Sequence, residues 1–413
     1  MIILLAIKNK EECCGCSACV NICPVQCIAM TADNEGFLYP EINKGKCICC
    51  GLCEHVCPFK IKEPIKKKKP EAYGVKAKDN DLRELSSSGG CFSLLAETIL
   101  HKNGVVYGAA MTEDFKAVRH RRVFSEDHLG SLRGSKYLQS EMGETFTLVK
   151  KDLDNGKFVL FSGVPCQIDG LRLFLQKEYD NLYCVDVICH GVPSPKLWKK
   201  YAEYQEKRFN GKITAVNFRK KKINWTNFGI VVDGDRVQYY KSLDEDPYLR
   251  MFLHNVCLRP SCYNCNSKIA EAMSDITVAD FWGVIGVSKT LYDDKGVSLV
   301  LTHTEKGKRL LDSILHLTKH EHVPFEEAIK QNHTYYESID KPAARDQFYS
   351  DLDTIEFDDM IQKYASIGLK EKIVIKFRQS TLYSLYRFLR WGGVERFDYG
   401  LFFIIIVQDD VDA

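Results

Sequence analysis

The chain has 413 residues, more than one hydrophobic core usually supports, so two or three domains are expected. Hydrophobic residues make up 45 % and charged residues 27 %, an ordinary globular balance, and the net charge of +2 gives no electrostatic footing for nucleic acid. Eighteen cysteines in so long a chain argue against a small secreted disulfide scaffold and for metal-bound thiolates in a reducing, oxygen-poor cytoplasm.

The opening Met1–Ile7 is apolar but short, with no basic residue ahead of it and no cleavage site, so it reads as a first strand and not a signal peptide. From Cys13 the sequence runs C-x2-C-x2-C-x3-C-P to Pro24, and from Cys47 the same spacing repeats to Pro58. That doubled order is the bacterial ferredoxin run, in which the first three thiolates of each run grip one 4Fe–4S cube and the fourth reaches across to the other. A tight loop lets three thiolates converge on one face of a cube, and Pro ends the loop by fixing φ and withholding a donor. The expected ligands are Cys13, Cys16, Cys19 and Cys57 for one cluster, and Cys47, Cys50, Cys53 and Cys23 for the other. A zinc pair or a disulfide framework would have to reach this order by chance. Cys14, Cys27 and Cys49 fall outside the pattern and read as small buried or solvent-facing thiols. Between the runs, Ile28–Met30 and Phe37–Tyr39 flank the turn signal Asp33-Asn34-Glu35-Gly36, which predicts a hairpin. The run Lys66–Lys69 between Pro64 and Pro70 reads as a solvated linker, with a docking patch for an acidic partner as the alternative.

From Glu71 strands and helices alternate, which argues an α/β domain. Strands are expected at Tyr73–Lys78, Val105–Met111, Phe158–Phe161 and Leu182–Ile188, and helices at Cys91–His101, Gln167–Gln176 and from Lys196. The loops Ser86–Gly90, Ser162–Cys166 and Cys189–Pro195 are rich in Gly, Ser or Pro and form one candidate site, because ligands of such domains sit at strand ends. Further on, Ile213–Arg219 and Phe228–Val232 read as paired strands, Pro247–His254 as a helix, Gly296–His303 as a strand and Gly307–Leu317 as a helix. The tail from Asp351 reads as amphipathic helix, and Leu401–Val407, too short to cross a membrane, as a docked strand.

A second cysteine group, Cys257-x4-Cys262-x2-Cys265, supplies three thiolates and lacks a fourth ligand. Its spacing suits either an iron–sulfur cluster or a zinc ion completed from a distance. Cys166, Cys189, Cys184 and Cys91 are the candidates for the fourth place; the turn loops favour Cys166 and Cys189, and Cys166 is the one taken. Ser86, Ser87, Ser88, Gly89 and Gly90 open a helix and offer N–H groups and hydroxyls to an anion. Ser135 and Lys136, in Gly134–Tyr137, add a second phosphate-friendly loop with a point charge. The G-x-G-x-x-G fingerprint of a Rossmann site is absent. His190 is a candidate proton donor, or a structural histidine bonded to backbone.

Taken together, Ser86–Gly90, Arg133–Tyr137, Pro165-Cys166-Gln167, Cys189–Pro195, Cys257–Cys265 and Ser274–Gly283 resemble the beta subunit of coenzyme F420-reducing hydrogenase and dehydrogenase. The resemblance runs from about Tyr73 to about Leu317, behind the fused ferredoxin module. It implies an iron–sulfur flavoprotein with FAD beside a third 4Fe–4S cluster, Ser86–Gly90 and Gly134–Tyr137 near the flavin, and Cys257, Cys262 and Cys265 on the cluster. Members of that family reduce different acceptors, so the resemblance does not name a substrate. The sequence departs from the family at Ser162-Gly163-Val164 and at Ala279.

The fold class expected is therefore α+β and α/β: a ferredoxin-like two-cluster module (1–62), a Lys/Pro linker (63–72), an α/β iron–sulfur flavoprotein domain (73–320) and a helical extension (321–413). The expected activity is that of an iron–sulfur flavoprotein oxidoreductase exchanging a hydride equivalent with a small organic donor or acceptor, the flavin converting between one- and two-electron steps. The alternative is a non-catalytic electron-relay subunit. A ferredoxin or other redox protein is the expected partner, with no nucleic acid and no transmembrane segment.

Overall fold

The structure is a computed structural model and describes residues 7, 9–60, 69–222, 224–268 and 273–380. The readings placed on Met1–Ala6, on Lys66–Lys68 and on Leu401–Val407 lie outside the described residues.

Two short helices, Ala18–Ile22 and Leu52–His55, each follow a cysteine loop in the N-terminal module. The loops turn sharply because Gly15, Ser17 and Gly51 take positive φ (70°, 64° and 77°), which lets successive thiols point the same way. Between them the strands Ile28–Ala32 and Leu38–Ile42 pair antiparallel, with Ile28 opposite Ile42 and Ala32 opposite Leu38. The turn forms because Asp33 Oδ1 accepts the N–H groups of Glu35 (3.0 Å) and Phe37 (2.9 Å), while Gly36 sits at φ 86°. The hairpin expected from the turn signal is present.

The larger part of the chain is built on a nine-stranded sheet. In spatial order its strands are Thr318–Val323, Glu71–Ala77, Ser298–Thr302, Ile276–Asp280, Leu182–Val187, Val159–Ser162, Val105–Met111, Val118–Val123 and Ser140–Glu141. The four strands Ile276–Asp280, Leu182–Val187, Val159–Ser162 and Val105–Met111 run parallel. Parallel strands need both faces covered, and they are. Cys91–Leu100 and Glu305–Asp312 bury Leu95, Ile99 and Leu311 on one face; Thr145–Asp154 and Pro165–Leu175 bury Phe146, Val149 and Ile168 on the other.

A smaller antiparallel sheet, Gln238–Ser242, Gly229–Gly234 and Ile213–Lys220, packs with the helices Pro195–Phe209 and Pro247–Leu253. Its core of Trp198, Tyr201, Phe218 and Tyr248 also takes in Phe348 and Tyr349 of Arg345–Thr354 and Met360 of Phe357–Tyr364. Two boundaries differ from those expected. Strand Glu71–Ala77 begins inside the supposed linker, and it pairs with Thr318–Val323, which straddles residue 320. Three helices after residue 320, Phe325–Ile329, Arg345–Thr354 and Phe357–Tyr364, are core elements rather than an appendage.

The module is keyed into the α/β part. Phe37 is fully buried in the core around Trp198. Arg345 donates to both Glu35 carboxylate oxygens at 2.9 and 2.6 Å, and the Ser194 hydroxyl donates to Glu35 O at 2.5 Å. Asn21 donates to Gly143 O at 2.8 Å and accepts from the Thr147 hydroxyl at 3.0 Å. Backbones approach closely at Gly170, where a Cβ would lie 2.8 Å from Cys16 Sγ.

Candidate functional site

The two cysteine runs interleave. Cys13, Cys16, Cys19 and Cys57 line one cavity with Met30, Pro40 and Phe59, so the fourth cysteine of the second run stands with the first three of the first. Cys23, Cys47 and Cys53 pack around Cys27, whose sulfur lies 3.5 Å from Cys23 Sγ, and Cys50 is exposed. The first set faces the α/β domain and the second faces out.

Behind the first set lies a pocket lined by five thiols: Cys14, Cys166, Cys189, Cys262 and Cys265. Sheet topology brings two of them together. Val159–Ser162 and Leu182–Val187 are adjacent and parallel, so the turn holding Cys166 and the turn holding Cys189 leave the same sheet edge. Cys262 lies in the 3-10 turn Pro260–Asn264 and Cys265 caps its C-terminal end, three residues on, so that both thiols reach the pocket. Gly191, at φ 152°, leaves room for this turn, since a Cβ there would meet Leu258 at 2.8 Å and Cys262 at 3.4 Å. Burial pushes the Cys189 thiol up to about 12 and the Cys265 thiol up to about 11, so ionised sulfurs here require a cation among them. A pocket of buried thiols is the donor set an iron–sulfur cluster takes. Among the described residues no three His, Cys, Asp or Glu side chains are gathered as tightly as a single metal ion needs.

Cys257 does not join them. It is fully buried in the apolar core, donating to Met251 O at 3.6 Å. Leu258, which bridges antiparallel to Pro193, is buried in the same core. Cys184 and Cys91 are buried elsewhere in the core, while both Cys166 and Cys189 reach the pocket. His190 also lines it; its Nε2 bonds Asn255 Oδ1 at 2.6 Å, and burial lowers its pKa, so it stands as a neutral, positioned ring.

The two serine loops meet. Ser135 N–H donates to Ser87 Oγ at 2.9 Å, with the hydroxyls 3.2 Å apart. Most of the other groups expected to face an anion are engaged by the protein instead. Ser86 donates to Leu82 O (2.7 Å) and Ser88 to Val297 O (2.8 Å). Lys136 donates to Ser131 O (3.0 Å) and Arg133 O (2.8 Å), closing the preceding 3-10 turn, and burial lowers its pKa to about 7. Gly89 serves close packing, because a Cβ would lie 2.3 Å from Val75 O; Gly90 takes the left-handed conformation that starts the helix. Beside Ser135 and Tyr137 stands a group the sequence reading passed over. Arg219 is buried against Phe228 (4.1 Å) and Trp282, paired with Asp280, and its Nε and Nη2 donate to no acceptor among the described residues. Trp225 stacks on Trp282 (5.2 Å, 11°) and donates to Asp280 at 3.0 Å. The Asp280-Phe281-Trp282-Gly283 motif was the signal for this corner, and Arg219, at the end of a strand, carried none.

Residues 156–328 match the family model for the C-terminal region of the coenzyme F420 hydrogenase/dehydrogenase beta subunit, and residues 12–61 match that of a 4Fe–4S dicluster domain. A solved structure of the F420-reducing NiFe hydrogenase complex from Methanosarcina barkeri, in a xenon derivatization study, is similar at 15 % identity. The likeness covers 76 % of this chain and 94 % of that one, with a TM-score of 0.43. No curated protein matches. Cys166, Cys189, Cys262, Cys265, Arg219 and Asp280 all lie inside the first matched stretch, and the eight cysteines of the doubled run lie inside the second. No helix among the described residues is long and apolar enough to cross a membrane.

Proposed function

We propose that the chain is an iron–sulfur flavoprotein oxidoreductase whose dicluster module feeds, or drains, a third four-iron site held by Cys166, Cys189, Cys262 and Cys265. The observation that carries this reading is the convergence of four thiols, from three separate segments, in a pocket that meets the module at Cys14. Clusters carry single electrons and a flavin trades them for a hydride equivalent, which is the chemistry such groups supply when bound. The residues of the chain hold three thiol sets, from the exposed Cys50 end inward to the half-buried pocket of Cys166, Cys189, Cys262 and Cys265. Supporting a flavin nearby are the joined Ser87 and Ser135 loops and the unpaired donors of Arg219, a cation suited to a phosphate or an ionised ring edge. A redox protein docking at the Cys50 end is the partner this arrangement suits.

Anaerobic reconstitution followed by iron and flavin analysis is the test. The expected content is about twelve irons per chain and one flavin. Cys166→Ser and Cys189→Ser each lose about four irons, and Cys257→Ser loses none. Loss of iron in Cys257→Ser with retention in Cys189→Ser refutes the ligand set. The second reading is a relay subunit without flavin, favoured by the engagement of Ser86, Ser88 and Lys136 with backbone carbonyls. It requires full iron, no flavin and no turnover of a deazaflavin, quinone or nicotinamide by the chain alone.

A further inference from the structure

Arg259 lies between the two thiol sets that face each other across the module boundary. It is wholly buried and lines the pocket of Cys166, Cys189, Cys262 and Cys265. Its head, however, points into the ferredoxin loop. Nε donates to Cys13 O at 2.7 Å, Nη2 to Leu38 O at 2.9 Å, and Nη1 to Gln139 Oε1 at 2.9 Å. Nη2 also faces Cys13 Sγ at 3.7 Å. The guanidinium lies over the Tyr39 ring at 4.3 Å and the Phe37 ring at 5.4 Å. Gly15 is what allows the approach, since a Cβ there would meet Arg259 Nη1 and the Gln139 amide at 2.9 Å.

These four hydrogen bonds end on two carbonyls, an amide oxygen and a sulfur, with no carboxylate among them. A buried cation is costly unless a negative charge compensates it. Carbonyl dipoles and ring faces offset part of that cost. The remaining candidate is the cysteine set itself: a cube held by four thiolates is a net anion, and Cys13 is the thiolate the fork touches. A fixed positive charge beside a cluster favours its more negative, reduced form, and in a dry interior the effect is only weakly screened.

We propose that Arg259 is the counter-charge of the cluster held by Cys13, Cys16, Cys19 and Cys57 and raises its reduction potential, so that the module's inner cluster accepts electrons more readily than its ligands alone would allow. This rests on the reading that those cysteines hold a four-iron cluster. Two variants test it in the full reconstituted chain, by redox titration monitored through electron paramagnetic resonance. Arg259→Gln removes the charge. Gln139→Glu leaves the arginine and sets a carboxylate against Nη1, neutralising it in place. In each, one module cluster should shift to lower potential, its oxidised-to-reduced ratio at fixed potential rising threefold or more, while the other stays put. Arg259→Lys, which keeps the charge, should hold the wild-type ratio within threefold. A shift smaller than threefold in variants that retain their iron overturns the proposal, and Gln139→Glu decides the matter should Arg259→Gln not fold. A wild-type chain with fewer than about eight irons would instead sink the cluster reading on which the proposal stands.

Discussion

Removing the Arg345 head should uncouple the module from its seat. Its guanidinium grips the Glu35 carboxylate with two bonds and also donates twice to Leu258 O, at 3.2 and 2.9 Å. Both side chains are largely out of water, at 3 % and 12 % exposure. In Arg345→Ala the carboxylate and the carbonyl stay buried without their donor, which costs about 3–5 kcal/mol. For a cooperative unit of roughly 200 residues that lowers Tm on the order of 10 °C. Differential scanning calorimetry of Arg345→Ala, Glu35→Gln and the double variant measures it. Because the two groups act on each other, the double variant should be little worse than Arg345→Ala alone. Strictly additive losses, or a fall in Tm of less than about 2 °C for Arg345→Ala, would refute the reasoning. Leu258 directly precedes Arg259, so the same variant should also loosen the arginine fork at Cys13.

Gly170→Ala should destabilise the chain even though alanine favours a helix, because its methyl would lie 2.8 Å from Cys16 Sγ; overpacking of about 1–3 kcal/mol exceeds a propensity gain of about 1 kcal/mol. Iron content and Tm both fall if that is right, and a variant with full iron and an unchanged Tm shows the helix is not tight against the loop. His120 is buried, bonded to Ser162 O (2.9 Å) and the Ser140 hydroxyl (3.1 Å), and burial depresses its pKa from 6.5 to about 4. The unfolded chain therefore binds the proton first, and the folded state loses up to about 3 kcal/mol as pH drops from about 6.5 towards about 4. Relative to His120→Gln, the wild type should weaken across that window and run parallel above it; parallel curves throughout would show that His120 does not titrate on unfolding.

What could be read from the residues divides along physical lines. The doubled cysteine order, the Asp33–Gly36 turn and the strands Val105–Met111 and Leu182–Val187 were legible because local chemistry determines them. Several strands were not, among them Ile276–Asp280, Gln238–Ser242 and the two that follow. Val118–Val123 alternates buried and exposed positions with three arginines and histidine among them, and Thr318–Val323 is likewise polar; both lie at or near a sheet edge, where one face meets water. At the site, the C-x2-C spacing puts Cys262 and Cys265 one turn apart, and both line the same pocket. Cys257 was expected beside them, but its side chain lies in the apolar core around Trp198, a placement that spacing along the chain does not reveal. Cys166 and Cys189 were weighed as rivals for one place, yet adjacency of two parallel strands brings both, and only topology reveals that.

The glycine contacts and the Glu35 clamp make the joint between module and domain a solid one. On the proposed function, charge crossing it traverses a gap of constant width, with no swinging arm and no collision to wait for. Its speed should be indifferent to the viscosity of the medium, and on the proposed reading any slow, solvent-sensitive step belongs to the outward end, where the proposed partner would dock.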